Sequence, residues 1–174
     1  MAGFVALFAA FAVLARFGGA GLTRPPLPEA RSPSLREAPQ FSLPTPGGEV
    51  QRLAEHTGQV VLLNFWALWC APCREELPIL ETLHGELRDE GLAIVAVNVD
   101  RGGAERVQRF AEQKGLSFEI LHDPEQRVAG SYGVVGYPTT VVIDRVGRIV
   151  LSELGAWDWS HPDAVAWLRE LLSQ

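Results

Sequence analysis

The chain has 174 residues, 47% hydrophobic and 21% charged, with a formal net charge of −6, enough for one globular domain and a further segment. The charge is uneven: residues 1–48 carry four arginines and two acids, whereas residues 49–174 carry eleven basic and nineteen acidic side chains. An acidic domain without a basic stripe argues against nucleic acid as a partner. With only two cysteines in the chain, each sulfur has only the other to serve.

Residues 1–15 contain no charged side chain and are dominated by Ala, Phe, Leu and Val; Arg16 and a Gly18-Gly19-Ala20-Gly21 patch follow. Residues 1–22 therefore read as an export segment, and two forms of it stand open. The apolar run fits the ~7–15 residues of a signal peptide, with a small-residue cleavage position after Ala20, although no basic side chain precedes it. Extended to Leu22 it reaches the ~20 residues needed to span a bilayer, with Arg16 as an interruption, and is then an uncleaved membrane anchor. Residues 23–39 hold five prolines and no apolar period, the pattern of an extended linker. Arg24, Arg31 and Arg36 in that linker weigh against outward placement, because positive residues tend to stay cytoplasmic.

Residues 40–174 read as one α/β domain. Phe41–Leu43 and Glu49–Gln51 flank a Pro- and Gly-rich tip and predict a β-hairpin. Val60–Trp66 is short, β-branched and aromatic, as a buried strand should be. From Arg74 to Arg88, Leu77, Leu80, Leu83, His84 and Leu87 recur at helical spacing, with Pro78 expected to kink the axis. Leu92–Val99 is a second apolar strand, which makes 60–99 a strand-helix-strand crossover to a parallel neighbour. Ala104–Lys114 is amphipathic and stops at Gly115. A strand at Phe118–Leu121, a short helix at Pro124–Tyr132 and two strands at Thr139–Ile143 and Arg148–Leu151, joined by a tight turn, come next. A final helix, capped by Ser160 with Asp163 reaching back, buries Val165, Leu168 and Leu172.

The chemistry lies where the first buried strand meets the first helix, in Trp69-Cys70-Ala71-Pro72-Cys73. A Cys-x-x-Cys at a helix start sets the first sulfur beside unpaired backbone N–H groups and the positive end of the helix dipole, which favours thiolate over thiol. Cys70 is therefore expected as nucleophile and Cys73 as resolving thiol. A closed zinc site needs four ligands, and His56, His84, His122 and His161 are not paired at finger-like spacing, so no metal is expected. A purely structural disulfide closing so short a loop would remove little chain entropy. Glu75 and Glu76 are accounted for as acids favoured by the helix dipole.

Phe65-Trp66-Ala67-Leu68-Trp69-Cys70-Ala71-Pro72-Cys73, Pro78 and Gly136-Tyr137-Pro138-Thr139-Thr140 resemble the thioredoxin fold. The 40–53 hairpin and the helix and strand inserted at 103–121 resemble its TlpA/ResA-like branch of membrane-tethered or exported thiol-disulfide oxidoreductases. The resemblance implies a mixed central sheet flanked by helices, with an N-terminal hairpin and a central helix-strand insert. It also implies a cis bond before Pro138, packed against the disulfide so that the backbone of Tyr137 can pair with a substrate peptide, and an extracytoplasmic location in the periplasm or on the outer face of the membrane. Trp69, next to Cys70, is expected on the substrate-facing surface. The clients that the resemblance implies are disulfide-bearing proteins such as those of cytochrome c or copper-site assembly. Thiol-disulfide exchange itself requires no dissolved cofactor, and an oxidising compartment calls for an upstream membrane thiol reductant. Where many thioredoxins carry a buried aspartate, Asn64 stands here and cannot titrate; the nearest candidate for the acid-base role is Asp100. The Pro-Glu-Thr run of the cytochrome c reductants is Pro138-Thr139-Thr140 here, without the Glu.

Two other functions use the same thiols. A peroxiredoxin-like peroxidase would approach its cysteine through Pro-x-x-x-Thr-x-x-Cys, and Leu63 to Cys70 has neither Pro nor Thr in place. A metallochaperone would hold copper(I), for which soft sulfur ligands suffice. Trp157 and Trp159 are expected to pack a terminal loop on the body.

Overall fold

The computed structural model describes residues 36–174; the export segment and most of the linker lie outside the described residues. The last four residues assigned to the linker already belong to the domain. Ala38 is buried, and its N–H donates to the Gly147 carbonyl at 2.8 Å while the Ile149 N–H donates to that of Arg36 at 3.0 Å.

The hairpin expected at the start forms as β1 (Ser42–Pro44) and β2 (Val50–Arg52), paired antiparallel. The main sheet contains β3 (Val60–Trp66), β4 (Leu92–Asn98), β5 (Glu119–His122), β6 (Thr139–Ile143) and β7 (Ile149–Leu154), in the order β5-β4-β3-β6-β7. β3 is central, parallel to β4 and antiparallel to β6. All seven of its residues are buried, which is why its sequence reads as a continuous apolar run rather than an alternating one. The sheet is mixed, and the architecture is the thioredoxin fold.

The helices are α1 (Ala71–Leu87), α2 (Ala104–Lys114), α3 (Arg127–Ser131) and α4 (Pro162–Leu172). Side chains alternate across β3: Asn64 bonds to α1, Trp66 packs on Phe110 of α2 with ring centroids 5.5 Å apart, and Phe65 points the other way against Tyr132 at 5.6 Å. Among the described residues no helix is long and apolar enough to cross a membrane.

Pro78 lies inside α1, where it cannot donate to the Arg74 carbonyl, and the helix continues through it. One local expectation differs from what forms. The final helix starts at Pro162, a residue suited to a first helical position, and its cap is His161, whose ring accepts from the Asp163 N–H at 3.3 Å. Ser160 is drawn off by the Asp158 carboxylate, which accepts from both its N–H and its hydroxyl.

Candidate functional site

The fold brings two loops together. β3 ends where β6 begins, because the two are antiparallel neighbours with Phe65 opposite Thr139. The segment after β3 carries the two cysteines, and the segment before β6 carries Tyr137 and Pro138.

Cys70 and Cys73 form a disulfide. Cys70 is the N-cap of α1, and its sulfur accepts the Cys73 N–H at 3.3 Å, so the first sulfur does sit on the unpaired donors of the helix start. Both residues are largely buried, Cys70 5% exposed and Cys73 1%; the first is the more open of the two. The helix begins at Ala71, directly after Cys70.

The Tyr137–Pro138 bond is cis. The Trp69 and Tyr137 rings meet edge to face with centroids 5.8 Å apart, while Trp69 remains 66% exposed. Trp69 is therefore surface beside the cysteines, whereas Trp66 is fully buried in the core. The Tyr137 hydroxyl donates to Gln126 Oε1 at 3.1 Å, and the Pro138 carbonyl accepts the Gly155 N–H at 2.8 Å. A Cβ added to Gly136 would stand 3.0 Å from Leu154 Cδ1, so this loop runs close against the end of β7. Leu154 and Val135 add exposed apolar surface there.

Glu76 is the residue that the sequence reading misplaced. It is fully buried, one helical turn beyond Cys73 and on the same face of α1. Its Oε2 accepts from Asn64 Nδ2 at 2.9 Å, and its Oε1 accepts from the Trp157 N–H at 2.9 Å and from Trp159 Nε1 at 3.1 Å. Asn64 Nδ2 also donates to Thr140 Oγ1 at 2.9 Å. Burial drives the Glu76 pKa from 4.5 up to about 7, against the opposing pull of the three donors. A buried carboxyl that titrates near neutrality is suited to exchanging a proton. The helix dipole does not explain it, because α1 starts early enough to place Glu76 in its second turn. The helical register carried the missing signal: Glu76 lies three residues after Cys73 and four before Leu80, both buried.

Asp100 follows β4. Its Oδ2 accepts the Leu68 N–H at 2.7 Å and Asn98 Nδ2 at 2.8 Å, and its own carbonyl meets His122 Nε2 at 2.9 Å. It thereby braces the strand end that leads into Trp69 and Cys70. Arg74 is exposed and donates to the Leu68 carbonyl at 2.6 Å, holding the same turn from the other side.

A thioredoxin fold with a Cys-x-x-Cys disulfide at the start of a helix beside a cis-proline loop defines a thiol-disulfide oxidoreductase. The chain belongs to the AhpC/TSA family, whose profile matches residues 35–152. The thioredoxin-like protein YneN of Bacillus subtilis is 44% identical over 116 residues, 66% of this chain and 67% of that protein. Thiol-disulfide oxidoreductase ResA of Halalkalibacterium halodurans is 40% identical over 119 residues, covering 68% and 67%. Among solved structures, a Chlorobium tepidum protein provisionally named thiol:disulfide interchange protein DsbE superposes with a TM-score of 0.73 at 33% identity, over 79% of this chain and 96% of that one. These relatives agree with the ResA-like resemblance of the motifs.

Proposed function

We propose that this oxidoreductase acts outside the cytoplasm as a reductant of protein disulfides, held at or exported across the membrane by its N-terminal segment. In the reduced protein the Cys70 thiolate attacks a client disulfide, forming a mixed disulfide and releasing one client thiolate. Cys73, deprotonated by Glu76, then attacks the Cys70 sulfur, expels the second client thiolate and re-forms the Cys70–Cys73 disulfide. The client gains the two electrons that the pair loses, and an upstream membrane thiol reductant restores them in an otherwise oxidising compartment. Trp69, Tyr137 and Pro138 form the surface on which the client peptide lies. Asp100 serves by holding Leu68, and so the turn that presents Cys70.

The observation that carries this reading is the capping sulfur of Cys70 beside the Trp69–Tyr137 pair, a stabilised nucleophile next to an exposed aromatic surface. Clients in cytochrome c or copper-site assembly follow from the ResA-like resemblance. The test is to offer the reduced protein an oxidised Cys-x-x-Cys-His peptide, hydrogen peroxide and copper(I) in parallel. Faster oxidation of the protein by the peptide than by peroxide, with no tight copper binding, is the expected result; dominance of peroxide or of copper would replace this function.

A further inference from the structure

The Glu76 carboxyl is held from outside its own helix, and two of its three donors come from the connection between β7 and α4. That connection is firmly seated. Trp159 is fully buried, its ring lies 5.3 Å from that of Trp157, and the Gly155 N–H at its start donates to the Pro138 carbonyl. Trp66 is a useful contrast: it is equally buried, yet its ring N–H finds no partner. Trp159 instead aims its single polar atom at one oxygen of Glu76.

We propose that Trp159 is a positioning residue of the exchange reaction: its indole N–H fixes the Glu76 carboxyl and favours the anion that accepts the Cys73 proton. An N–H donor bonds a carboxylate more strongly than a neutral acid, so each such donor opposes the pull of burial toward the protonated form. No charged side chain does this work. Cys73 is the titratable neighbour on α1, β3 and β6 offer Asn64 and Thr140, and the buried face of α4 offers Ala164, Val165 and Leu168. On β7, Glu153 stands opposite Thr140, and in the connection the Asp158 carboxylate is turned to Ser160. Neither acid is among the groups that shift Glu76, which are burial and the three hydrogen bonds.

The proposal rests on Glu76 being the proton acceptor, and the test separates the two. In the full chain, Cys70 is loaded as a mixed disulfide with glutathione, and glutathione release by Cys73 is followed against pH in the wild type, Trp159→Phe, Glu76→Gln and the double variant. Trp159→Phe should move the midpoint of the rising limb upward by roughly one pH unit, the cost of one hydrogen bond to a charged group. Glu76→Gln should abolish that limb, and the double variant should behave as Glu76→Gln alone. An unmoved midpoint in Trp159→Phe, or a shift that persists without Glu76, overturns the proposal. In the wild type the Trp159 indole N–H resonance should titrate with the same midpoint, and a pH-independent resonance overturns it even where the variant does not fold. If Glu76→Gln leaves the limb intact, the proton-acceptor role falls and the positioning role with it, whereas a flat indole resonance removes Trp159 alone.

Discussion

Replacing Glu76 by Gln should change how the stability of the oxidised domain depends on pH. The folded protein raises this carboxyl from 4.5 to about 7, so it binds the proton more tightly than the unfolded chain does. The sign follows from linkage: the contribution is fully present below pH 4.5 and is lost as pH rises through about 7. That span corresponds to roughly 3 kcal/mol of folding free energy. Gln is neutral throughout and nearly isosteric. Its oxygen can keep the donors from Trp157 and Trp159, and Asn64, whose Oδ1 has no partner, can rotate its amide to meet the new NH2 group. Any fixed cost of the substitution shifts the whole curve and leaves its slope untouched. Urea unfolding of both oxidised proteins from pH 4.5 to 8.5 measures the effect. The stability of the variant relative to the wild type should increase by about 3 kcal/mol across that range, with the two histidines that have shifted pKa values, His56 and His84, cancelling between the proteins. Parallel curves would show that the buried carboxyl does not titrate there.

His56 links the segment after β2 to β5, its Nε2 3.5 Å from Glu119 Oε2 with both side chains mostly buried. Pairing with that carboxylate raises the His56 pKa above its ordinary 6.5, against the effect of burial, so its contribution is full below pH 6.5 and fades as pH rises through the folded value. His56→Asn should accordingly cost about 1 kcal/mol near pH 6 and less near pH 8, read from urea midpoints; an equal loss at both would contradict the pairing. Trp69→Ala should raise KM for an oxidised peptide about tenfold and leave exchange with dithiothreitol unchanged; equal loss with both substrates would mean that Trp69 shapes the cysteine pair rather than the client surface.

The strands and the cysteine pair were legible because they violate nothing: β3 is apolar throughout and buried throughout, and Cys70 stands where strand pattern gives way to helix pattern. The cis bond before Pro138 came from the family resemblance, since composition alone says only that a proline opens a strand. Glu76 was hidden by a conflict between levels. Its charge argued for solvent and its register for the core, and the register won because donors 12, 81 and 83 residues away in sequence converge on it. No local pattern announces such partners, and Trp157 and Trp159 accordingly read as packing alone. Asp100 was singled out as a carboxylate near the site; the structure adds that both hydrogen bonds to its Oδ2 come from the framework around the loop. Ser160 failed as a cap for a simpler reason, the Asp158 carboxylate two residues away.

The unequal roles of the two sulfurs are the centre of this account, and trapping tests them most directly. Cys73→Ser and Cys70→Ser, each produced as the full chain, are acid-quenched and compared on non-reducing gels after exposure to client disulfides. The capping position of Cys70 predicts that Cys73→Ser accumulates mixed disulfides through Cys70 while Cys70→Ser accumulates none. Equal trapping by the two variants, or trapping through Cys73 alone, would contradict it.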